Sequence, residues 1–262
     1  KKYFMYILFI LLLLNINIYA EVLQGGRSSY EYLRLPVGGS SYALGGAGVT
    51  LKNTSFGISY NPALSSTNTD SNNIGLMYNF WVLDSRITNI SLTSRFFEKH
   101  NFGMIFTYVD YGTFLRRTYS NPTGTSFEPF YIKDYNLQFN YSIPVTEKFF
   151  IGGNMGFLKS QIDKISKNGI KIDIGLIADI TDNFTIGGSL NNIGFTQENT
   201  PMIFKLGSSF TQTFQMMKLL FLLDLSKSRE DFIIFNFGSE VSIYNTLFFR
   251  LGYNSLNKLG GG

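Results

Sequence analysis

The sequence predicts an all-β fold, an antiparallel transmembrane β-barrel carrying a small N-terminal plug segment. Three observations predict it. Apolar and polar residues alternate with a period of two through one segment after another. The alternating runs are mostly 8–12 residues long; tilted membrane strands need ~9–11 residues, whereas globular strands average nearer ~5–6. Short and long connections alternate between the runs, as periplasmic turns and outer loops do in outer-membrane barrels. Composition agrees: of 262 residues 44% are hydrophobic and 16% aromatic, with 26 glycines. Charged residues are only 15%, against roughly 25% in soluble domains.

The elements follow in order. Lys1-Lys2, an apolar run over 3–14 and Ile18-Tyr19-Ala20 predict a secretory signal over 1–20, cleaved after Ala20. A membrane anchor is the weaker reading: the run falls short of the ~20 residues of a spanning helix, and Asn15 and Asn17 interrupt its end. An exported chain bound for a bacterial outer membrane is therefore expected.

Residues 21–72 form the second element, and 25–70 do not alternate. Their small residues, including Gly45, Gly46 and Gly48, suit close backbone packing inside the barrel. A nucleotide loop is excluded, because neither G-x-G-x-x-G nor a P-loop is present. Asn61 suits a helix N-cap and Pro62 the first helical position. Asn61-Pro62-Ala63 either shapes the lumen plug or simply starts a helix.

The barrel is expected over 73–262. In Asp134–Ile143 the apolar Tyr135, Leu137, Phe139, Tyr141 and Ile143 alternate with Asn136, Gln138, Asn140 and Ser142. In Gly169–Ile180 the isoleucines at 170, 172, 174 and 180, with Leu176 and Ala178, form one face. Lys171, Asp173, Gly175 and Asp179 form the other, with Ile177 as an exception. Lys171, Asp173 and Asp179 should face the lumen, where charges tune passage or simply hydrate the interior. Weaker runs cover 74–82, 87–96, 102–111, 149–158, 184–191, 202–211, 217–225, 232–243 and 247–254, giving about eleven strands.

Longer connections are expected at 112–130, 159–168, 192–201 and 226–231, with 83–86 as a short exception. The short turns before Phe149, Phe184 and Leu247-Phe248 resemble one another. Each sets an aromatic just after a polar turn, at the level of an interfacial girdle. An odd strand count is unusual for a single-chain bacterial barrel. The end at Gly260-Gly261-Gly262 then predicts C-terminal truncation or an overlooked strand.

Chemistry is sparse. The sequence has no cysteine and one histidine, His100, in a polar turn, so a nucleophile–histidine site, a zinc site or an iron–sulfur site is not expected. No EF-hand spacing occurs. The net charge is +4 without a basic block, which argues against nucleic acid. No cofactor, no metal and no enzyme activity are expected, and outer-membrane lipid is the expected surrounding.

Ala43-Leu44-Gly45-Gly46-Ala47-Gly48-Val49 followed by Tyr60-Asn61-Pro62-Ala63 resembles the N-terminal signature of PorV/PorQ-type proteins, relatives of FadL-like barrels. Asn191-Asn192-Ile193-Gly194 and Leu251-Gly252-Tyr253 resemble later motifs of that group, and the composition is similar to its spirochaete-type members. The resemblance implies a barrel of fourteen strands with an N-terminal plug, about three of them beyond Gly262. It implies FadL-like transport of a hydrophobic small molecule. Its alternative is PorV-like binding of exported cargo proteins, with the loop around Arg116-Arg117 as the contact.

Overall fold

A computed structural model describes residues 29–255 except 98, 125–127, 197–198 and 229–232. The signal expected over 1–20 and the expected C-terminal truncation lie outside the described residues. Eleven strands form one sheet: β1 (Asn72–Phe80), β2 (Arg86–Phe96), β3 (His100–Phe114), β4 (Phe130–Pro144), β5 (Phe149–Ile162) and β6 (Ile165–Asp179). They continue as β7 (Phe184–Thr196), β8 (Ile203–Thr213), β9 (Met217–Ser228), β10 (Ile233–Ile243) and β11 (Leu247–Asn254). Their order in the sheet is their order in the chain, and neighbours pair antiparallel.

The strands outrun the sequence pattern at the long-loop end. The expected loop 159–168 shrinks to Asp163-Lys164, because β5 and β6 stay paired out to Ile162↔Ile165. Ser160↔Lys167 and Gln161↔Ser166 are polar pairs, so the alternation vanishes there while the backbone ladder goes on. Water, unlike lipid, sets no apolar requirement on a strand that stands clear of the membrane.

Register fixes the two faces. One face carries Ile74, Leu76, Ile90, Leu92, Phe139, Met155, Ile174, Leu206, Phe221 and Phe237, all exposed. In lipid these would be covered, and a soluble protein would rarely show so large a patch. Phe102, Tyr141 and Phe210 ring this face near the short turns, and Phe149 and Phe184 share its register there, opposite Ala178 and Phe210. Phe248 instead takes the inward register opposite buried Ser242, and Phe249 supplies the outer aromatic, 63% exposed. His100 is exposed at the start of β3, 2.7 Å from the Tyr141 hydroxyl through Nδ1.

The inner face is occupied by residues 29–71. This segment makes the 3-10 turns Glu31–Arg34, Gly57–Ser59 and Pro62–Thr67 and one short α-helix, Gly39–Ala43. It touches both edge strands: Asn79 of β1 donates to the Tyr42 hydroxyl at 3.4 Å, and Gly45 packs on the backbone of Tyr253 in β11. One short segment reaching both edges requires the sheet to curl around it, which is the barrel expected from sequence.

Three apolar clusters join segment to wall. Tyr30 and Tyr32 meet Ile87, Val109 and Leu158. Leu44, Ala47 and Leu51 meet Leu220 and Leu222. Ala63 and Leu64 meet Ile177. Ile177, the exception in the alternation of β6, is thus apolar because its inward neighbour is the segment rather than water.

Candidate functional site

The site is built where the inner segment meets the wall. Asn61 caps the 3-10 turn Pro62–Thr67, its Oδ1 accepting from Ala63 N at 3.1 Å. Its Nδ2 donates to Val49 O at 3.2 Å and to Leu176 O at 2.9 Å. One side chain therefore starts the turn, ties it to the preceding loop and hangs both on β6.

Such backbone-level contact needs room in the wall, and glycine supplies it. Eight strands carry an inward glycine where the segment touches them: Gly75, Gly103, Gly152, Gly175, Gly187, Gly207, Gly238 and Gly252. A Cβ on Gly175 would lie 2.7 Å from Pro62 Cδ, one on Gly207 2.6 Å from Val49 Cβ, and one on Gly238 2.8 Å from Leu44 Cβ. These are closer than real Cβ atoms approach. The glycines form a girdle that seats the segment.

Polar ties complete the seat. Asp224 on β9 accepts from Gly48 N at 2.7 Å and Val49 N at 2.9 Å through Oδ2, charge-assisted bonds of the stronger kind. Asn140 donates to Pro62 O at 2.9 Å and Asn154 to Ile58 O at 2.9 Å. Lys52 pairs with Asp179 at 2.5 Å at the short-turn end. The Tyr60 hydroxyl accepts from Val37 N at 2.8 Å and donates to Val37 O at 3.1 Å. Burial pushes the Tyr60 phenol above its ordinary value, so it keeps the proton that the second bond uses.

On the long-loop side of this seat lies a cavity of about 410 Å³. Tyr32, Leu35, Tyr42, Trp81, Ile87 and Ile203 give it apolar walls, and Asn89, Asn136, Lys171, Lys205, Asp224 and Asn236 give it polar points. Apolar walls with convergent polar groups are the make-up of a small-molecule pocket, and here polar side chains form about half of the lining. Lys171 is 3% exposed and reaches both carboxyl oxygens of Asp173, at 3.0 and 2.7 Å. Asp173 also accepts from Asn154 Nδ2 at 2.8 Å and from Asn192 N at 2.6 Å, so its charge is fully used.

The residues singled out from sequence are distributed around the seat and cavity. Lys171, Gly45 and Gly46 line the cavity. Asp173 lies buried behind Lys171. Gly48 presents its N–H to Asp224 and lies against the Tyr60 ring. Asn61, Pro62 and Ala63 sit in the seat, buried on β5 and β6. Asp179 lies beside the short turns and holds Lys52 and Thr185. Sequence reading passed over Asp224, Lys205 and the glycine girdle. Asp224 had a signal: it breaks the run Leu219–Leu225 with a charge that cannot face lipid.

No family model matches the chain, and no curated protein matches it. Among solved structures the chain is similar to the Pseudomonas putida toluene transporter TodX, at 14% identity over 84% of this chain and 83% of that one, with a TM-score of 0.60. It is also similar to the Ralstonia pickettii toluene transporter TbuX, at 13% over 84% and 86%, TM-score 0.56. A third is the CymD monoaromatic hydrocarbon channel, at 14% over 84% and 83%, TM-score 0.61. These likenesses show a shared fold, an antiparallel β-barrel.

Proposed function

We propose that this chain is an outer-membrane channel that admits hydrophobic small molecules by passive transport, the inner segment acting as its plug. The observation that carries the reading is the pairing of a seated plug with an amphipathic lumen cavity on its long-loop side. The inner segment fills the interior at the level of the glycine girdle, and the 410 Å³ cavity lies on the long-loop side, between the wall and Tyr32, Leu35 and Tyr42 of the same segment. A pocket of that size sits near the small end of the range for ligand sites, roughly 300–1,000 Å³. The fold shared with toluene transporters and a monoaromatic hydrocarbon channel supports the same reading.

Binding would follow from burial. An apolar ligand leaving water gains about 25 cal/mol for each Å² it buries, and Tyr32, Leu35, Tyr42 and Trp81 offer such surface. Passage requires Asn61, Asp224 and Lys52 to release their partners or the ligand to pass around them. The Ala43–Val49 and Tyr60–Ala63 motifs supply residues of this seat, which supports the PorV/PorQ-type resemblance as the finer assignment.

Trp81 is the single tryptophan of the chain and lines the cavity with its ring 6.4 Å from that of Tyr42. The test is toluene titration of the full-length protein in liposomes, read by Trp81 fluorescence and by toluene uptake. Saturable quenching with uptake above that of empty liposomes is expected. No fluorescence change and no uptake would refute the reading.

A further inference from the structure

The charged side chains that line the cavity are all engaged but one. Arg34 pairs with Glu31 at 2.8 Å, Lys171 with Asp173, and Asp224 holds two backbone amides through Oδ2, its buried Oδ1 meeting no donor among the described residues. Lys205 is the exception. It comes from the inner face of β8, opposite Ser189 and Ser226. Its ammonium stands 5.1 Å from the centre of the Tyr60 ring. Among the described residues it makes no hydrogen bond and no ion pair. An ammonium has three N–H donors, and a ring face answers its charge but not those donors.

The charge balance narrows what can meet them. Around this cavity Arg34, Lys171 and Lys205 stand against Glu31, Asp173 and Asp224, three cations against three anions. An anionic ligand would therefore bring an unbalanced charge into a pocket shielded from water, which is costly. A plain hydrocarbon would displace water from the ammonium and leave its donors unmet. A neutral oxygen acceptor avoids both penalties.

Resting on the channel reading, we propose that Lys205 is a specificity-determining residue. The preferred ligand is a small uncharged hydrophobe carrying an oxygen acceptor, such as a monocyclic ketone, ester or alcohol. The apolar walls take its ring, and Lys205 Nζ donates to its oxygen beside Tyr60.

The test uses the full-length protein in liposomes and three probes of similar size, toluene, acetophenone and benzoate, read by Trp81 fluorescence. Acetophenone should bind about tenfold more tightly than toluene, as one hydrogen bond from a charged donor warrants. Benzoate should bind more weakly than acetophenone. Lys205→Met should abolish the preference, toluene then binding as tightly as acetophenone because no ammonium is left to strip of water, and Lys205→Arg should keep the preference. A heat-dependent gel shift confirms that each variant is folded; if Lys205→Met is not, the three probes on the native chain and on Lys205→Arg decide. Equal binding of toluene and acetophenone by the native chain, tighter benzoate binding, or an unaltered preference in folded Lys205→Met overturns the inference alone. No response to any probe overturns it together with the channel reading.

Discussion

Gly175→Ala isolates the close approach that seats the inner segment. Gly175 has no left-handed backbone torsion, so alanine costs nothing there in φ and ψ, and the effect is steric. The new Cβ would lie 2.7 Å from Pro62 Cδ and closer still to Asn61 Oδ1. Asn61 cannot swing aside freely, because it holds Ala63 N, Val49 O and Leu176 O. Moving it forfeits an N-cap, worth about 1 kcal/mol, and weakens two further bonds worth about 1 kcal/mol each. Undocking of the turn Pro62–Thr67 should become easier by roughly 2–3 kcal/mol, a factor of roughly 30 to 150. Overpacking of a filled interior costs a similar amount, about 1–3 kcal/mol.

The assay is amide hydrogen exchange of residues 61–66 in the folded, membrane-inserted protein, with single-channel conductance beside it. Exchange of the Leu64 amide, bonded to Asn61 O at 3.0 Å, should accelerate by that factor, and brief conducting openings should become more frequent. Gly153→Ala is the control. It lies next in β5 to the seat residue Gly152, and a Cβ there meets only Asp173 O at 3.6 Å. Native exchange at Leu64 in folded Gly175→Ala would refute the steric reasoning. Equal effects of both substitutions would show that β-sheet glycine itself, rather than contact with the inner segment, is responsible.

Three further outcomes are expected. Asp224→Asn keeps the shape but removes the charge that holds the Gly48 and Val49 amides; their exchange should speed by the equivalent of about 1–2 kcal/mol, with the barrel ladder unaffected. Asp173→Asn leaves the buried Lys171 without its anion and should cost about 3–5 kcal/mol in urea unfolding followed by gel shift, whereas Lys171→Met with Asp173→Asn, which keeps an acceptor for Asn154 and Asn192, should recover much of that loss. Leu206→Arg places a charge on the outer face of β8, where Leu206 is 47% exposed; it should lower folding stability in lipid vesicles by about 2–4 kcal/mol and leave toluene quenching of Trp81 intact in the folded fraction.

The barrel was legible in the sequence because its cause is local. A strand with one face toward lipid and one toward the lumen must alternate, and each run of β4 or β6 records that requirement without reference to any other residue. The seat is non-local and was written in the departures from the pattern. Ile177 is apolar on an inward position because Ala63 and Leu64 cover it. Leu220 and Leu222 blur the alternation of β9 because Leu44, Ala47 and Leu51 lie against them. Gly175 and Gly207 read as unremarkable strand glycines, although each stands where a Cβ would strike the inner segment. Lys205 reads as one more lumen charge, and only the register that sets it over Tyr60, away from the Lys171–Asp173 pair, leaves its donors open. In this barrel, then, outward residues that obey the period of two report the membrane. Inward apolar residues that break it, and inward glycines that keep it but clear the backbone approach, mark the docking surface of the inner segment, and substitutions at those positions should alter closure before they alter folding.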